Sequence, residues 1–551
     1  MARSRTIARH RRSAAGLAAL AALAGALGAG AAPAQAARGP LATIVQDDAQ
    51  LLHRAPEQVA ASLDRLRDLG VDTVRITAGW SVLTRDADTD AIPADFDQTD
   101  PAAYEQARFT GLDTAIRLAD ERGLRVLLDL AFWAPQWAAG REEGEPMPRA
   151  RRGVDAQAYG RFATALARRY DGTFTPPPAV EPVPPTADGS LLDQLFGTAP
   201  PPAASAPSAG PLPRVARFSL WNEPNHPAFL LPQTARSANG SPALYRRMVR
   251  AADAAIRAVQ PDATVLIGGL ASKGTNGRGI APLRFVRELA CVDGKLRPLR
   301  TAACRDFRPV PGDGFTIHPY SLSTPPDARP SASQPDDTPL GALPKLIDTL
   351  DRLVRAGRLS RGLRDVWITE YGYETNPPAR TTTFGLDDQA RFLPWAEYLA
   401  WRQPRVRAFA QFLLRDLPPA ASVQGQSDRR AFGQWESGLL FADGTDKPAA
   451  AAFAAGLFVR PADRTGRRLA VWGRLRTGTG LRTVVLEARA PRGTWRRLPG
   501  TVRTRSGVVT RTLPAAGIAR GSLVRMRVTA ADGTVSVSPA FPVLHRPSPL
   551  R

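Results

Sequence analysis

Two glutamates follow apolar runs of the sequence, in positions where a charged side chain needs a reason. Glu223 lies in "RFSLWNEPNHPAF" after an apolar run that ends in Trp221, and Glu370 lies in "WITEYGY". Removing a carboxylate from water without a partner costs several kcal/mol, so each glutamate either caps a turn or belongs to a site that uses it. Enzymes that cleave glycosidic bonds typically use two carboxyl groups, one that protonates the leaving oxygen and one that attacks or stabilises the oxocarbenium-like centre. The sequence therefore predicts Glu223 and Glu370 as a catalytic pair.

The elements that must position this pair are short apolar runs alternating with helical patterns. In "PEQVAASLDRLRDLG", for example, Val59, Leu63 and Leu66 share one helix face, and Gly70 ends the helix. Eight runs have the character of strands: "LATIVQD", "VDTVRITAGW", "LRVLLDLAFW", "ARFSLWNEPN", "ATVLIGGLA", "GFTIHPY", "DVWITEYGY" and "VRAFAQFLL". The alternation predicts an α/β fold, a (β/α)8 TIM barrel of residues 37–458 whose elements run from about 41.

The ends of these strands carry further polar and aromatic residues. Because catalytic groups of such barrels lie at the C-terminal ends of the strands, these residues should meet at one rim. Aromatic side chains there could stack on sugar rings, although core or rim packing is an alternative for each of them. The residues predicted to bind substrate or orient the pair are Arg75, Trp133, Asn222, His318, Tyr320 and Trp435.

The last part of the chain has a different pattern. Residues 459–551 contain short alternating runs such as "RRLAVWGRLR", "RTVVLEARA" and "SLVRMRVTA", separated by Gly, Pro or Asp turns. This pattern predicts a small C-terminal antiparallel β-sandwich. Trp472 or Trp495 could bind polysaccharide there, but a structural or spacer role is favoured because the sequence has no row of exposed aromatic residues.

Two other segments do not fit the barrel pattern. Residues 1–36 combine five arginines, an apolar stretch and the small-residue sequence "AQA", which predicts a signal peptide and hence a secreted, extracellular protein without a membrane anchor after cleavage. Residues 174–213 are rich in Pro, Ala and Ser. Because strand-like runs continue beyond them, we interpret them as a surface insertion.

The two cysteines of the chain lie close together in "CVDGKLRPLRTAAC". In an exported protein this spacing favours a disulfide between Cys291 and Cys304, with two buried free thiols as the alternative. A metal site is not predicted, because no histidine or further cysteine is nearby.

The motifs "WNEPN", "HPY" and "ITEYGY", in this order, resemble those of the clan A retaining glycoside hydrolases. The resemblance is greatest to the cellulase-like family 5 and the β-xylosidase-like family 39, and it covers residues 41–458. It implies a glycosidase in which Glu223 is the acid/base and Glu370 the nucleophile. It also implies that Asn222 binds the sugar 2-hydroxyl group, that Arg75 and Tyr320 keep Glu370 ionised, and that His318 lines the leaving-group side.

The chain departs from the family at strand eight, where a tryptophan is usual but "AFAQFLLRD" has Gln411 and Phe412. Trp435 in the following loop could supply that sugar-binding surface. Asp129 and Glu374 are further carboxylates, and we interpret both as structural. A transglycosylase with the same residues and a non-catalytic carbohydrate-binding barrel are alternatives to the hydrolase.

The formal net charge of +22 suggests nucleic-acid binding at first sight. The basic residues are mostly arginines spread over every segment, without a basic run after the N-terminus or a basic patch interleaved with aromatic residues. We therefore expect a carbohydrate substrate and no nucleic-acid partner. Side chains supply both the acid/base and the nucleophile, so no metal or organic cofactor is expected.

Overall fold

A computed structural model describes residues 38–140, 150–177, 210–234, 236–274, 278–418, 435–519 and 521–544. All elements below belong to the compact unit Pro40–Arg551. Eight parallel strands close a barrel in the order in which they occur in the chain, as predicted. They are β1 (Ala42–Gln46), β2 (Thr73–Gly79), β3 (Arg125–Ala131), β4 (Arg217–Leu220), β5 (Thr264–Ala271), β6 (Gly314–His318), β7 (Val366–Ile368) and β8 (Val406–Phe412).

Helices connect most of these strands. The helix Pro56–Asp68 buries Val59, Leu63 and Leu66 against the barrel, which confirms the face predicted from their spacing. The other α-helices are Asp48–Leu51, Trp80–Leu83, Thr110–Glu121, Ala156–Arg169, Ser241–Val259, Pro282–Leu289, Leu343–Arg355, Leu386–Trp401 and Pro448–Ala454. Short 3-10 turns occur at Gln106–Phe109, Gln136–Ala138, Ala302–Cys304, Leu340–Ala342 and Arg361–Arg364.

The interior of the barrel is filled by side chains from alternate strands. Ile44 of β1, Leu127 of β3 and Leu266 of β5 form one buried cluster, and Trp367 of β7 packs against it. These strands are not neighbours, so their side chains can meet only across the barrel axis. The indole needs space that Gly314 of β6 provides, because a Cβ atom there would lie 2.8 Å from the Trp367 ring.

Two antiparallel sheets follow the barrel, as the alternating pattern predicted. One has the strand order β13-β10-β9 and the other β12-β11-β14-β15, with β16 paired to β14. The strands are β9 (Ala455–Pro461), β10 (Arg468–Leu475), β11 (Arg482–Arg489), β12 (Arg496–Thr504), β13 (Val508–Pro514), β14 (Leu523–Thr529), β15 (Val535–Val537) and β16 (Phe541–Pro542). We call this part, residues 455–544, the sandwich; its first strand starts within the segment predicted to close the barrel.

The sandwich packs directly on a barrel helix. Trp472 of β10 is 2% exposed, and its ring lies 5.9 Å from that of Tyr398 and 6.0 Å from that of Trp401 on the helix Leu386–Trp401. Glu397 of the same helix pairs with Arg476 at 2.8 Å. Trp472 is therefore part of this contact, and its burial rules out the sugar-binding role considered from the sequence.

The remaining predictions concern single segments. Cys291 and Cys304 form the predicted disulfide, with their Cα atoms 5.7 Å apart. The predicted signal peptide and residues 178–209 of the predicted insertion lie outside the described residues. The ends of the insertion meet, because the amide of Leu212 donates to the carbonyl of Phe174 at 2.9 Å. Of the helices in the described part of the chain, none has the length and apolar character required to cross a membrane.

Candidate active site

Glu223 lies in an irregular turn directly after β4. Two residues of this turn have positive φ angles, 64° at Trp221 and 39° at Glu223. Such angles are unusual for residues other than glycine and cost of order 1–3 kcal/mol each, so the surrounding structure must hold them. Backbone hydrogen bonds do so, because the amide of Trp221 donates to Leu130 of β3 and the amide of Glu223 donates to Gly269 of β5, both at 2.9 Å.

On β5, the turn that carries Glu223 contacts a pair of glycines. These glycines interrupt the hydrogen-bond ladder between β5 and β6. Gly268 and Gly269 have φ angles of 118° and 53°, and the register with β6 shifts there. A Cβ atom on Gly269 would lie 3.1 Å from the carbonyl oxygen of Trp221. The absence of a side chain at this position thus allows the close approach that places Glu223 at the rim.

Glu370 follows β7 and lies beside a buried arginine. Its Oε1 is 2.5 Å from Nη1 of Arg75, whose side chain is 1% exposed. The other guanidinium nitrogen of Arg75 donates to Asp129 at 2.7 Å and to Asn222 at 3.4 Å, and Nη1 also donates to Gln46. The guanidinium is thereby fixed in the plane that presents one N–H group to Glu370.

His318 is the last residue of β6, and Tyr320 lies two residues beyond it. These two side chains complete the contacts of the carboxyl pair. Nδ1 of His318 lies 3.1 Å from Oε1 of Glu223 and 3.5 Å from Oε2 of Glu370. The hydroxyl group of Tyr320 donates to Oε2 of Glu370 at 3.1 Å. One oxygen of each glutamate and a nitrogen of His318 all lie within 4.8 Å of one another. The two carboxyl groups predicted from the sequence as a pair therefore face each other across the barrel.

Burial raises the pKa of both carboxyl groups above the ordinary value. At Glu223 the rise is opposed by His318 and reinforced by the charge of Glu370. At Glu370 the rise is opposed by Arg75 and by the hydroxyl of Tyr320. Burial lowers the pKa of His318 to about 4, so its ring is neutral at neutral pH. When the pair shares one proton, the cation beside Glu370 favours the proton on Glu223.

This result corrects one expectation from the sequence. The resemblance implies that Arg75 lowers the pKa of Glu370 and keeps it ionised, and Arg75 does lower this pKa. The predicted contact with Arg75 is present, but desolvation of Glu370 is the larger effect, and the net shift of its pKa is upward. The two glutamates differ in their partners. Glu370 contacts a permanent cation, Arg75, whereas Glu223 contacts the neutral imidazole of His318.

Two further predicted residues lie in or against the segment that carries Glu223. Asn222 is 7% exposed, adjoins Glu223 in the turn and contacts Arg75. Trp133 is buried, and its indole N–H donates to the carbonyl of Ala228 at 2.8 Å. Its ring packs beside Phe229, with centroids 6.5 Å apart. Trp133 therefore supports the loop that leaves Glu223.

Trp435 packs on Tyr320, the residue that contacts Glu370. Its ring centroid is 5.3 Å from that of Tyr320 and 5.4 Å from that of Phe412, and it is only partly buried. Tyr320 in turn contacts Glu370. The tryptophan that could supply the sugar-binding surface of strand eight thus packs on the tyrosine that contacts Glu370, where a partly exposed indole can face a sugar ring.

The sequence analysis missed a set of buried polar residues behind Arg75. Asp129, which was interpreted as structural, pairs with Arg75 and accepts a hydrogen bond from Ser219. Burial raises the pKa of Asp129 to about 6, while Arg75 opposes the rise. Gln46 contacts Arg75 and donates to Asp48 at 3.1 Å. A signal existed, since each of these polar residues interrupts an otherwise apolar barrel strand or directly follows one.

Glu223, His318 and Glu370 together also form a donor set of one nitrogen and two carboxylates, which suits a divalent transition metal. The positive charge of Arg75 at 2.5 Å from Glu370 opposes a second cation at the same place. The expectation that the site works without a metal remains a prediction.

No protein-family model and no curated protein sequence matches the chain. Among solved structures, a family 39 glycoside hydrolase from the gut symbiont Bacteroides cellulosilyticus WH2 is 15% identical, with a TM-score of 0.47 over 86% of this chain and 81% of that one. A GH5_18 protein from Streptomyces cattleya in complex with GlcNAc is 15% identical, with a TM-score of 0.40 over 76% of this chain and 79% of that one. An exo-β-1,4-mannosidase from Opitutaceae bacterium strain TAV5 is 17% identical, with a TM-score of 0.38 over 75% of this chain and 58% of that one. At these identities the activity of the chain has to be inferred from its own residues.

Proposed function

We propose that this protein is a glycoside hydrolase that cleaves β-linked oligo- or polysaccharides with retention of anomeric configuration. The observation that carries the proposal is the pair Glu223 and Glu370. One carboxyl oxygen of Glu223 lies within 4.8 Å of one of Glu370, and Arg75 forms an ion pair with Glu370 alone. Retaining enzymes have carboxyl groups about 5–5.5 Å apart, whereas inverting enzymes need about 6.5–9.5 Å to admit a water molecule. The short separation supports retention.

In the first step, Glu223 protonates the oxygen of the leaving sugar while a carboxylate oxygen of Glu370 attacks the anomeric carbon. The bond between that carbon and the leaving oxygen breaks, and an ester forms between the sugar and Glu370. The raised pKa of Glu223 supports its role as the acid, because a buried carboxyl group keeps its proton at a higher pH. The contact with Arg75 supports an ionised Glu370.

In the second step, Glu223 removes a proton from water as the water attacks the anomeric carbon and the ester breaks. Formation of the ester removes the negative charge of Glu370, which in the free site raises the pKa of Glu223. The pKa of Glu223 should therefore fall in the intermediate, so that the same group can act as a base. His318, neutral and in contact with Glu223, can keep the carboxyl group oriented through both steps.

The experiment that tests the proposal is hydrolysis of a panel of aryl β-glycosides and β-linked polysaccharides. The wild type is compared with Glu223→Ala and Glu370→Ala, and with Glu57→Gln as a control at an exposed helix position. We expect both alanine variants to lose at least about 10³-fold in kcat on the cleaved substrate, and the control to keep its activity. Azide should rescue Glu223→Ala as the β-azide and Glu370→Ala as the α-azide.

The stereochemistry of the wild-type reaction provides a second measurement. NMR of the first product from a β-glycoside should show the β-anomer before it equilibrates. A first product of α-configuration would mean inversion and would contradict the role of Glu370 as nucleophile. Binding of a polysaccharide without hydrolysis of any member of the panel would instead favour a carbohydrate-binding barrel.

We also infer that the protein is exported. The predicted signal peptide of residues 1–36 and the disulfide between Cys291 and Cys304 support this inference, because disulfides persist in oxidising compartments. Protein collected from the culture medium should begin near residue 37 by N-terminal sequencing. Accumulation inside the cell with the first 36 residues retained would contradict export.

A further inference from the structure

The positive charge of the chain is concentrated in the sandwich and its short C-terminal extension. Residues 455–551 contain 19 arginines, no lysine and three acidic residues, a net charge of +16 out of the +22 of the whole chain. Five of the remaining positive charges are arginines of the predicted signal peptide, so residues 37–454 carry a net charge of only +1. A preference for arginine over lysine cannot produce this difference, because both parts belong to one chain. Basic residues are denser in the sandwich, with 19 in 97 residues against 49 in the 418 residues of 37–454, and acidic residues are scarcer, with 3 against 48.

Many of these arginines share one face of the sheet β12-β11-β14-β15. Val484, Leu486 and Ala488 of β11 point into the sandwich core, so the residues that alternate with them point outward. In the register of the sheet, Glu487 of β11 lies opposite Arg497 of β12 and opposite Arg525 of β14. The arginines on this outward face, which we call the arginine face, are Arg489, Arg497, Arg503, Arg525 and Arg527.

The arginine face is open to solvent and mostly without counter-charges. Arg497 and Arg503 are exposed, and the side chain of Arg527 is 44% exposed. Among the described residues on this face, Glu487 is the one with an acidic side chain. Val535 and Val537 at the edge of the sheet are 52% and 43% exposed, so this edge of the face is open to solvent.

Glu487 shows which chemistry the arginine face binds. Its two carboxylate oxygens accept hydrogen bonds from Nε of Arg525 at 2.7 Å and from Nε of Arg527 at 2.9 Å. Trp495 stabilises this arrangement, because the guanidinium carbons of Arg525 and Arg489 lie 4.0 Å and 5.0 Å from its ring centroid. The face thus already holds one carboxylate between two arginines, and Arg489, Arg497 and Arg503 remain without an acidic partner among the described residues.

We propose that the arginine face binds a polysaccharide that carries carboxylate groups, such as a polyuronate. Neighbouring strands lie about 4.8 Å apart and alternate residues of one strand about 7 Å apart, so the arginines form a two-dimensional array. A ligand that engages such an array must repeat its negative charges, as an acidic sugar polymer does. Guanidinium groups also match carboxylates through paired hydrogen bonds.

Other polyanions fit the arginine face less well. In the described part of the sandwich, a flat sheet surface offers no helix or projecting two-stranded ribbon that could enter a DNA groove. Binding of single-stranded nucleic acid usually needs aromatic platforms for the bases. Trp495 is the aromatic residue beside this face, and its ring already contacts Arg525. The choice of a sugar polymer among polyanions also rests on the proposed function of the barrel.

The test is equilibrium binding of the full chain to immobilised polygalacturonate, with amylose as a neutral polysaccharide. The variant Arg497→Gln, Arg503→Gln, Arg527→Gln removes three charges from the arginine face. The matched control Arg284→Gln, Arg355→Gln, Arg361→Gln removes three exposed charges from the barrel. We expect wild type and control to bind polygalacturonate with similar affinity, and the variant to bind about tenfold more weakly or worse. Binding of the wild type should weaken at high salt and be negligible on amylose.

Duplex DNA and vesicles that contain phosphatidylserine serve as competing polyanions. Equal loss of affinity in both triple variants, or equal affinity of the wild type for polygalacturonate, DNA and the vesicles, would overturn the proposal. Thermal unfolding of the variant should match that of the wild type, since the three side chains lie on the surface. The binding assay needs no turnover, and hydrolysis of aryl glycosides by the same preparations tests the barrel separately, so failure of either proposal can be recognised.

Discussion

The barrel and the sandwich each pair arginine with a buried glutamate, but the arginine is buried in the barrel and half-exposed in the sandwich. In the barrel, Arg75 is 1% exposed and lies between Asp129 and Glu370. In the sandwich, Arg527 is 44% exposed and lies beside Glu487. An ion pair in low dielectric changes the proton affinity of its members strongly, whereas an exposed one contributes little energy and stays accessible to ligands.

The pKa values of the carboxyl groups follow this difference. Burial raises the pKa of Glu370 in spite of Arg75. Burial raises the pKa of Glu487 as well, but hydrogen bonds from Arg527 and Arg525 outweigh it, and the pKa lies below its ordinary value. Both carboxyl groups are buried, so the direction of each pKa shift depends on the cations in contact with them: one arginine at Glu370 and two at Glu487.

The largest expected effect comes from removing one arginine from each region. Arg75→Met leaves Asp129 and Glu370 buried without their cation, so we expect a loss of about 3–5 kcal/mol in the free energy of unfolding. Arg527→Met should change it by about 0.5 kcal/mol or less, because the Arg527 side chain is 44% exposed and Arg525 remains beside Glu487. Urea unfolding of both variants measures the difference. Equal losses in the free energy of unfolding would mean that the exposure of the arginine does not determine how much its ion pair contributes to stability.

A smaller effect is expected from a glycine in each region. Gly269 and Gly480 have φ angles of 53° and 76°, so alanine should cost about 1 kcal/mol or more at either position. Only at Gly269 would the new Cβ atom approach the backbone of the catalytic turn, 3.1 Å from the oxygen of Trp221. At Gly480 its nearest neighbour would be the Cβ atom of Ala531 at 3.7 Å.

We therefore expect Gly269→Ala to lower kcat about tenfold or more, since displacement of Trp221 also moves Glu223. Gly480→Ala should leave kcat unchanged. Unfolding measurements and kcat on an aryl glycoside separate the two effects. A fall in kcat for both variants, or for neither, would show that the glycine at β5 does not position Glu223.

The sequence predicted the elements that depend on local pattern. All eight barrel strands occur where apolar runs indicated them, because a strand buried on both sides needs a continuous apolar run. Glu223 and Glu370 were recognisable because they follow such runs. The strands of the sandwich after β9 were recognisable through alternation with a period of two residues, whereas β9 starts within the segment predicted to close the barrel.

Properties that depend on contacts between distant segments were not predictable in the same way. The pairing of Asp129 with Arg75 joins β2 to β3 inside the barrel, and the effect of burial on Glu370 depends on the whole rim. Burial of Trp472 results from a helix about 70 residues away in the chain. The uneven distribution of acidic residues was present in the sequence, but only the sheet register shows that the arginines share one face.

The smallest effect expected in the barrel concerns the hydroxyl group of Tyr320. It donates to the carboxylate of Glu370 at 3.1 Å and so favours the charged form and opposes the rise in pKa. In Tyr320→Phe the pKa of Glu370 should rise further. Because Glu370 must be ionised to act as the proposed nucleophile, the acid limb of the pH profile of kcat/KM should move to higher pH, by about one unit. A pH profile measured on an aryl glycoside tests this prediction.

Tyr371→Phe is the matched control. Its ring stacks on that of Tyr320 with centroids 6.3 Å apart, but its hydroxyl oxygen lies 3.2 Å from that of Tyr373 and 3.4 Å from that of Ser321, and its hydrogen bonds are with these hydroxyl groups instead of with Glu370. The control should keep the acid limb of the wild type, since the proton affinity of Glu370 does not depend on that hydroxyl. An equal shift in both variants would attribute the effect to packing of the aromatic rings, and an unchanged limb in Tyr320→Phe would mean that Arg75 alone opposes the effect of burial on Glu370.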